Sequence, residues 1–120
     1  MKSVLVVEDN PLIMELVRTL LVSFGYEPVE AVDGAMAIEL SIKNNLNIIL
    51  LDIQLPGLDG TEVLEVLKED PATREIPVIA LTAHAMRGDE EKYLRAGFSG
   101  YISKPIDIQR FKSVIEQFVA

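Results

Sequence analysis

Cysteine is absent from the 120 residues, so a disulfide framework, a thiolate metal site and a cysteine nucleophile are all excluded. That absence suits a reducing cytosol. Long apolar stretches are missing too. The longest unbroken runs of Val, Leu and Ile are Val4–Val7 and Ile48–Leu51, far short of a membrane span. Lys2 leads through the first of these directly into Glu8-Asp9, which is not the pattern of a signal peptide. Positive charge is scarce: 11 Lys and Arg stand against 19 Asp and Glu, and a net charge of −8 argues against nucleic-acid binding by this chain alone. There is no low-complexity stretch, internal repeat or Gly/Ser linker, so one domain over 1–120 is expected.

What is present is an alternation of short apolar runs with longer amphipathic segments. The runs are Val4–Val7, Val29–Val32, Ile48–Leu51, Val78–Leu81 and Tyr101–Ile102. Between them, Asn10-Pro11 opens a helix carrying Ile13, Leu16, Val17, Leu20 and Phe24 and closed by Gly25. Asp33 caps a second helix bearing Ile38 and Ile42. Asp59 and Glu62 have capping-box spacing ahead of Val63, Val66 and Leu67. A fourth helix is expected over 87–95, stopping at Gly97. Asp107 caps a fifth with a stripe of Ile108, Phe111, Val114, Ile115 and Phe118. Five strands alternating with five helices predict an α/β fold with a doubly wound parallel sheet. Glu27, Pro28 and Glu30 mark the second strand as an edge, and the three fully apolar runs read as central strands. The order 2-1-3-4-5 of flavodoxin-like and CheY-like sheets follows, with a ligand crevice at the carboxyl ends of the strands.

Polar residues follow the central runs at that one edge: Glu8-Asp9 after the first, Asp52 after the third, Thr82 after the fourth, Ser103-Lys104 after the fifth. Singly, each has an ordinary reading as a helix cap, a surface lysine or a strand hydroxyl. Together they make a site. Three carboxylates repel unless a cation sits among them, and an oxygen donor set of this kind suits Mg²⁺, with Mn²⁺ as a substitute. Glu8, Asp9 and Asp52 sum to −3, Lys104 offsets one charge, and a divalent ion brings the sum to zero. Asp52 is then placed as a carboxylate nucleophile, with Lys104 and the Thr82 hydroxyl to bind the oxygens of an incoming phosphoryl group.

Four stretches, in order, give the chain a family resemblance: Val-Val-Glu-Asp-Asn at 6–10, Leu-Asp-Ile-Gln-Leu-Pro-Gly-Leu-Asp-Gly at 51–60, Ala-Leu-Thr-Ala at 80–83 and Tyr-Ile-Ser-Lys-Pro at 101–105. Along its whole length the sequence resembles the receiver domain of bacterial response regulators, in texture that of the DivK-like stand-alone regulators. The resemblance implies that Asp52 accepts phosphate from a phosphohistidine on a histidine kinase or histidine phosphotransfer protein. It implies that Asp9, Asp52 and the backbone carbonyl of Gln54 ligate Mg²⁺, with Glu8 acting through water. Lys104 would bridge to the phosphoryl group, with a cis peptide between Lys104 and Pro105. Thr82 would move toward the phosphate and Tyr101 swing inward, altering a face of helix 4, strand 5 and helix 5 that meets a downstream protein target. Gln54 and His84 hold positions that tune phosphoryl lifetime, and small Ala83 leaves the route to the site open.

Such a chain is a phosphoacceptor rather than an enzyme, cytoplasmic, with no membrane partner, and a monomer or weak dimer. Met14, Met36 and Met86 read as packing or surface residues, and His84 as a loop residue rather than a general base. A haloacid-dehalogenase-type phosphatase would place a second Asp where Gln54 stands. A flavodoxin-like electron carrier would place a phosphate loop where Glu8-Asp9 stands. A receiver that binds a partner without phosphorylation remains an alternative, as does one excised from a larger regulator or hybrid kinase. The charge is uneven: residues 1–85 carry 5 Lys and Arg against 14 Asp and Glu, residues 86–120 carry 6 against 5, and the second region is expected to be the separate partner surface.

Overall fold

A computed structural model of the chain describes residues 1–83 and 89–119. Its elements run β1 (Ser3–Val7), α1 (Pro11–Ser23), β2 (Glu27–Ala31), α2 (Gly34–Lys43), β3 (Ile48–Asp52), α3 (Gly60–Glu69), β4 (Val78–Thr82), α4 (Asp89–Ala96), β5 (Gly100–Ser103) and α5 (Ile108–Val119). The strands form one parallel sheet in the order β2-β1-β3-β4-β5, as the pattern of runs predicts. β2 stands at the end of that order, beside β1, which gives Pro28, lacking an N–H, an edge position.

Side chains alternate between the sheet's two faces, and each face has its own core. Leu5, Val7, Ile49, Leu51, Val78 and Ala80 pack with Ala37, Val63, Leu64, Leu67 and Tyr93, from α2, α3 and α4. Val4, Val6, Ile48, Leu50, Ile79, Leu81 and Ile102 pack with Met14, Val17, Leu21, Phe111 and Ile115, from α1 and α5. Strands buried on both sides must be apolar throughout, and β1 after Ser3, and β3 and β4 up to their carboxyl ends, are so.

The predicted caps form. The Asn10 side chain accepts from the Leu12 and Ile13 amides, Asp33 from Met36, and Asp107 from Arg110. Asp59 and Glu62 complete a reciprocal capping box. Several stripe assignments need correction. Leu16 is exposed, and Met14 and Leu21 are buried in its place, because α1 is apolar nearly all round and Leu16 lies about 100° from Val17. Ile42 and Val66 are also exposed, while Ala37 and Leu64 face the core. Ile108 is exposed in the opening turn of α5. β2 begins at Glu27 and leaves Val32 outside, exposed. Among the described residues α4 begins at Asp89; His84, Met86 and Arg87 lie outside them. No helix among the described residues is long and apolar enough to cross a membrane.

Candidate functional site

The carboxyl edge of the sheet brings together four of the residues singled out from the sequence. Glu8 continues β1, its amide donating to the Ala31 carbonyl at 3.0 Å, and the residue is 1% exposed. Asp52 closes β3 and is 4% exposed. Lys104 follows β5 and its ammonium spans the two, 2.6 Å from Glu8 Oε1 and 3.2 Å from Asp52 Oδ2. The other Asp52 oxygen accepts from the Gln54 amide at 2.9 Å, which fixes the plane of the carboxylate. Asp9 is exposed, yet one of its carboxylate oxygens lies within 4.8 Å of one from Glu8 and one from Asp52. Three hard oxygen donors so close form a set that a divalent cation fits.

The loops that carry these groups are tied to the sheet. Backbone amides of Ile53 and Lys104 donate to the Leu81 and Thr82 carbonyls at 3.1 and 2.8 Å, and that of Gly60 to Ile53 at 3.0 Å. The Lys104–Pro105 peptide is cis. Gly60 presses the start of α3 against the end of β3: a Cβ there would lie 2.7 Å from the Asp52 carbonyl oxygen and 2.8 Å from Ile53 Cα.

The charges are unbalanced, since two buried carboxylates share one ammonium. Burial and the adjacent Asp52 carboxylate push the Glu8 carboxyl up from an ordinary 4.5 to about 7, against the opposing pull of Lys104 and the Asn10 amide. Burial would lower Lys104, but its hydrogen bonds and charge attraction to Glu8 and Asp52 outweigh that and raise it. A cation among the carboxylates would relieve this crowding.

Thr82 and Tyr101 are arranged differently. Thr82 stands at the same edge, but its hydroxyl lies 3.0 Å from the hydroxyl of Tyr93 in α4. Tyr101 is half-buried, its ring tilted against Tyr93 with centroids 6.3 Å apart and the Arg110 guanidinium 5.2 Å from its own centroid. Ala83 is exposed, and His84 lies outside the described residues. Sequence reasoning missed Tyr93 and the tight fit of Gly60. The signal for Tyr93 was available: it is the one aromatic in the mostly charged segment Asp-Glu-Glu-Lys-Tyr-Leu-Arg-Ala.

Residues 4–116 match the family model of the response regulator receiver domain. Over 118 residues the chain is 47% identical to the polar-differentiation response regulator DivK of Brucella ovis, covering 98% of this chain and 96% of that relative. Among solved structures it is similar to the receiver domain of sensor histidine kinase PA1611 from Pseudomonas aeruginosa PAO1, with 32% identity, TM-score 0.90, and 98% and 97% of the two chains covered. That domain carries a magnesium ion coordinated in its active-site cleft. Chemotaxis protein CheY4 of Vibrio cholerae shares the fold, with TM-score 0.90 at 24% identity over 98% of each chain.

Proposed function

The chain belongs to the response regulator receiver domain family of two-component signalling, and from that premise we propose that it is a phosphorylation switch with Asp52 as phosphoacceptor. The observation that carries this reading is the convergence of Glu8, Asp9 and Asp52 oxygens within 4.8 Å, with the Lys104 ammonium bridging two of them. In the transfer, a carboxylate oxygen of Asp52 attacks phosphorus; a P–O bond forms as the P–N bond of the donor phosphohistidine breaks, and the imidazole keeps the electron pair. The Gln54 amide orients the nucleophile. Lys104, already 3.2 Å from Asp52, exchanges part of its ion pairing for a phosphoryl oxygen. Thr82 offers a hydroxyl to another oxygen.

Asp9, Asp52 and the Gln54 carbonyl would hold Mg²⁺ or Mn²⁺, with Glu8 acting through water. Bound there, the ion supplies positive charge for the phosphoryl oxygens. The domain is taken as residues 1–120, cytoplasmic, monomeric or weakly dimeric, and not an enzyme acting on other substrates. Its donor is a histidine kinase or a histidine phosphotransfer protein. Its output to a downstream protein passes through α4, β5 and α5, where Tyr101 stands, and Gln54 and His84 set phosphoryl lifetime.

The test is intact mass after incubation with phosphoramidate and Mg²⁺. Wild type should gain one phosphoryl group and Asp52→Asn none. Equal gain by the variant would refute the assignment, and no gain by wild type would favour a receiver that binds its partner unphosphorylated.

A further inference from the structure

Thr82 shares an edge with Asp52 but not a face. Residues paired across parallel strands point the same way, and β3 and β4 pair Asp52 with Leu81, not with Thr82. Leu81 packs in the α1–α5 core, while Val78 and Ala80, four and two residues before Thr82, pack in the α2–α4 core. Thr82 therefore has the parity of the α4 side, and Asp52 that of the α1–α5 side.

On the α4 side Thr82 meets Tyr93. Both are buried, at 2% and 7% exposure, and their hydroxyl oxygens are 3.0 Å apart. The Tyr93 hydroxyl lies on the ring axis, so the packing of the ring fixes where it sits. That ring stands edge-on to Phe98, with centroids 6.1 Å apart at 86°, and tilted against Tyr101.

We infer that Tyr93 is a positioning residue that tethers the Thr82 hydroxyl on the α4 side of the resting chain, and that this tether is released when Thr82 serves a phosphoryl group on Asp52. The inference rests on the reading of Asp52 as phosphoacceptor. A hydroxyl has one proton. If Thr82 donates it to Tyr93, none is left for a phosphoryl oxygen. If Tyr93 is the donor, Oγ1 is still held in the rotamer that faces α4. Either way, turning Thr82 toward Asp52 gives up the bond to Tyr93. Tyr93 thereby sets how readily the phosphorylated arrangement forms, and its ring passes the release on to Tyr101 and, beyond it, Arg110. The switch is thus held partly from α4, by a residue that touches neither Asp52 nor Lys104 in any hydrogen bond or ion pair described above.

Tyr93→Phe removes one oxygen and keeps the ring, and a Thr82→Ala background assigns its effect to the Thr82 hydroxyl. A neutral hydrogen bond of this kind corresponds to about a two- to tenfold change in an equilibrium. Titrating the full chain with beryllofluoride and Mg²⁺ should therefore show Tyr93→Phe binding about two- to tenfold tighter than wild type. In the unliganded protein, three-bond couplings should report one Thr82 χ1 rotamer for wild type and a shifted rotamer balance for the variant. In a Thr82→Ala background, Tyr93→Phe should change affinity no further, a dependence that simple packing by Tyr93 would not produce. Unchanged or weaker binding by Tyr93→Phe, a gain that persists without the Thr82 hydroxyl, or a Thr82 already averaged in wild type would each overturn the tether. Intact mass tests the underlying reading separately: a wild type that takes phosphate on Asp52 while the tether tests fail leaves that reading standing, and one that takes none overturns both.

Discussion

Replacing Glu8 by Gln should remove a pH dependence of stability that the crowded carboxylates impose on the metal-free protein. Glu8 ionises near 4.5 when unfolded and near 7 in the fold, raised first by burial and then by Asp52. Between those values the unfolded chain has lost a proton that the native one keeps, so unfolding becomes easier as pH rises. The stability tied to this proton is fully present below pH 4.5 and lost as pH passes about 7. At about 1.4 kcal/mol per pH unit, the loss across the window is about 3 kcal/mol, a large part of a small domain's total. The raised Lys104 adds nothing to this window, because a lysine shifted upward loses its contribution only in strongly alkaline solution. Urea unfolding followed by far-UV circular dichroism in EDTA, from pH 4.5 to 8, measures the effect. Wild type minus Glu8→Gln should fall by about 3 kcal/mol over the series. Asp52→Asn should shrink the fall, since Asp52 is the second cause of the shift. Mg²⁺ should flatten it in wild type by favouring the ionised carboxylates. Parallel curves for wild type and Glu8→Gln would refute the account of Glu8 as the proton-holding carboxylate.

Two further outcomes follow from the same edge of the sheet. Asp9→Ala should weaken Mg²⁺ binding about tenfold or more in a calorimetric titration while leaving the fold intact, because Asp9 is exposed and supplies one of three neighbouring oxygens; unchanged affinity would place the ion elsewhere. Gly60→Ala should cost about 1–3 kcal/mol in urea unfolding, since its methyl group meets backbone rather than a yielding side chain. Unaltered stability would mean that α3 can move away from the Asp52 carbonyl.

Much of the fold was legible because a parallel sheet leaves a coarse signature. Val4–Val7, Ile48–Leu51 and Val78–Leu81 are apolar throughout, as strands buried on both faces must be, and Pro28 with its flanking glutamates placed β2 at the edge. The caps at Asn10, Asp33, Asp59 and Asp107 were equally plain, since each needs only a short polar side chain ahead of an amide. Helix faces were less so. Where Leu12, Ile13, Leu16 and Val22 make α1 apolar on nearly every side, periodicity alone does not choose the buried stripe. Gly60 was unreadable for another reason: its role is a distance between two backbones, and nothing in residue type reports that.

The site divides along the same line. Glu8, Asp52, Thr82 and Lys104 each sit just beyond or at the end of an apolar run, so their common edge could be read by counting. Counting along runs treats Asp52 and Thr82 as equivalent, each the first residue after four apolar ones. The sheet does not. It sets Ile49 opposite Val78, so β4 lags β3 by one residue and Asp52 faces Leu81. One step of register moves a side chain to the opposite face. The fourth group that the count assigns to the carboxylate side, Thr82, consequently begins on the α4 side, against a tyrosine that no strand-end motif contains. Glu8 and Lys104 escape this shift: their ion pairs to each other and to Asp52 place them on its side. On the reading of Asp52 as phosphoacceptor, a group that starts on the opposite face has to travel to reach a phosphoryl group there, and whatever holds it at the start opposes that travel. On that same reading, the register of two central strands is what gives the cluster a resting and a working arrangement, with the bond between Thr82 and Tyr93 setting the balance.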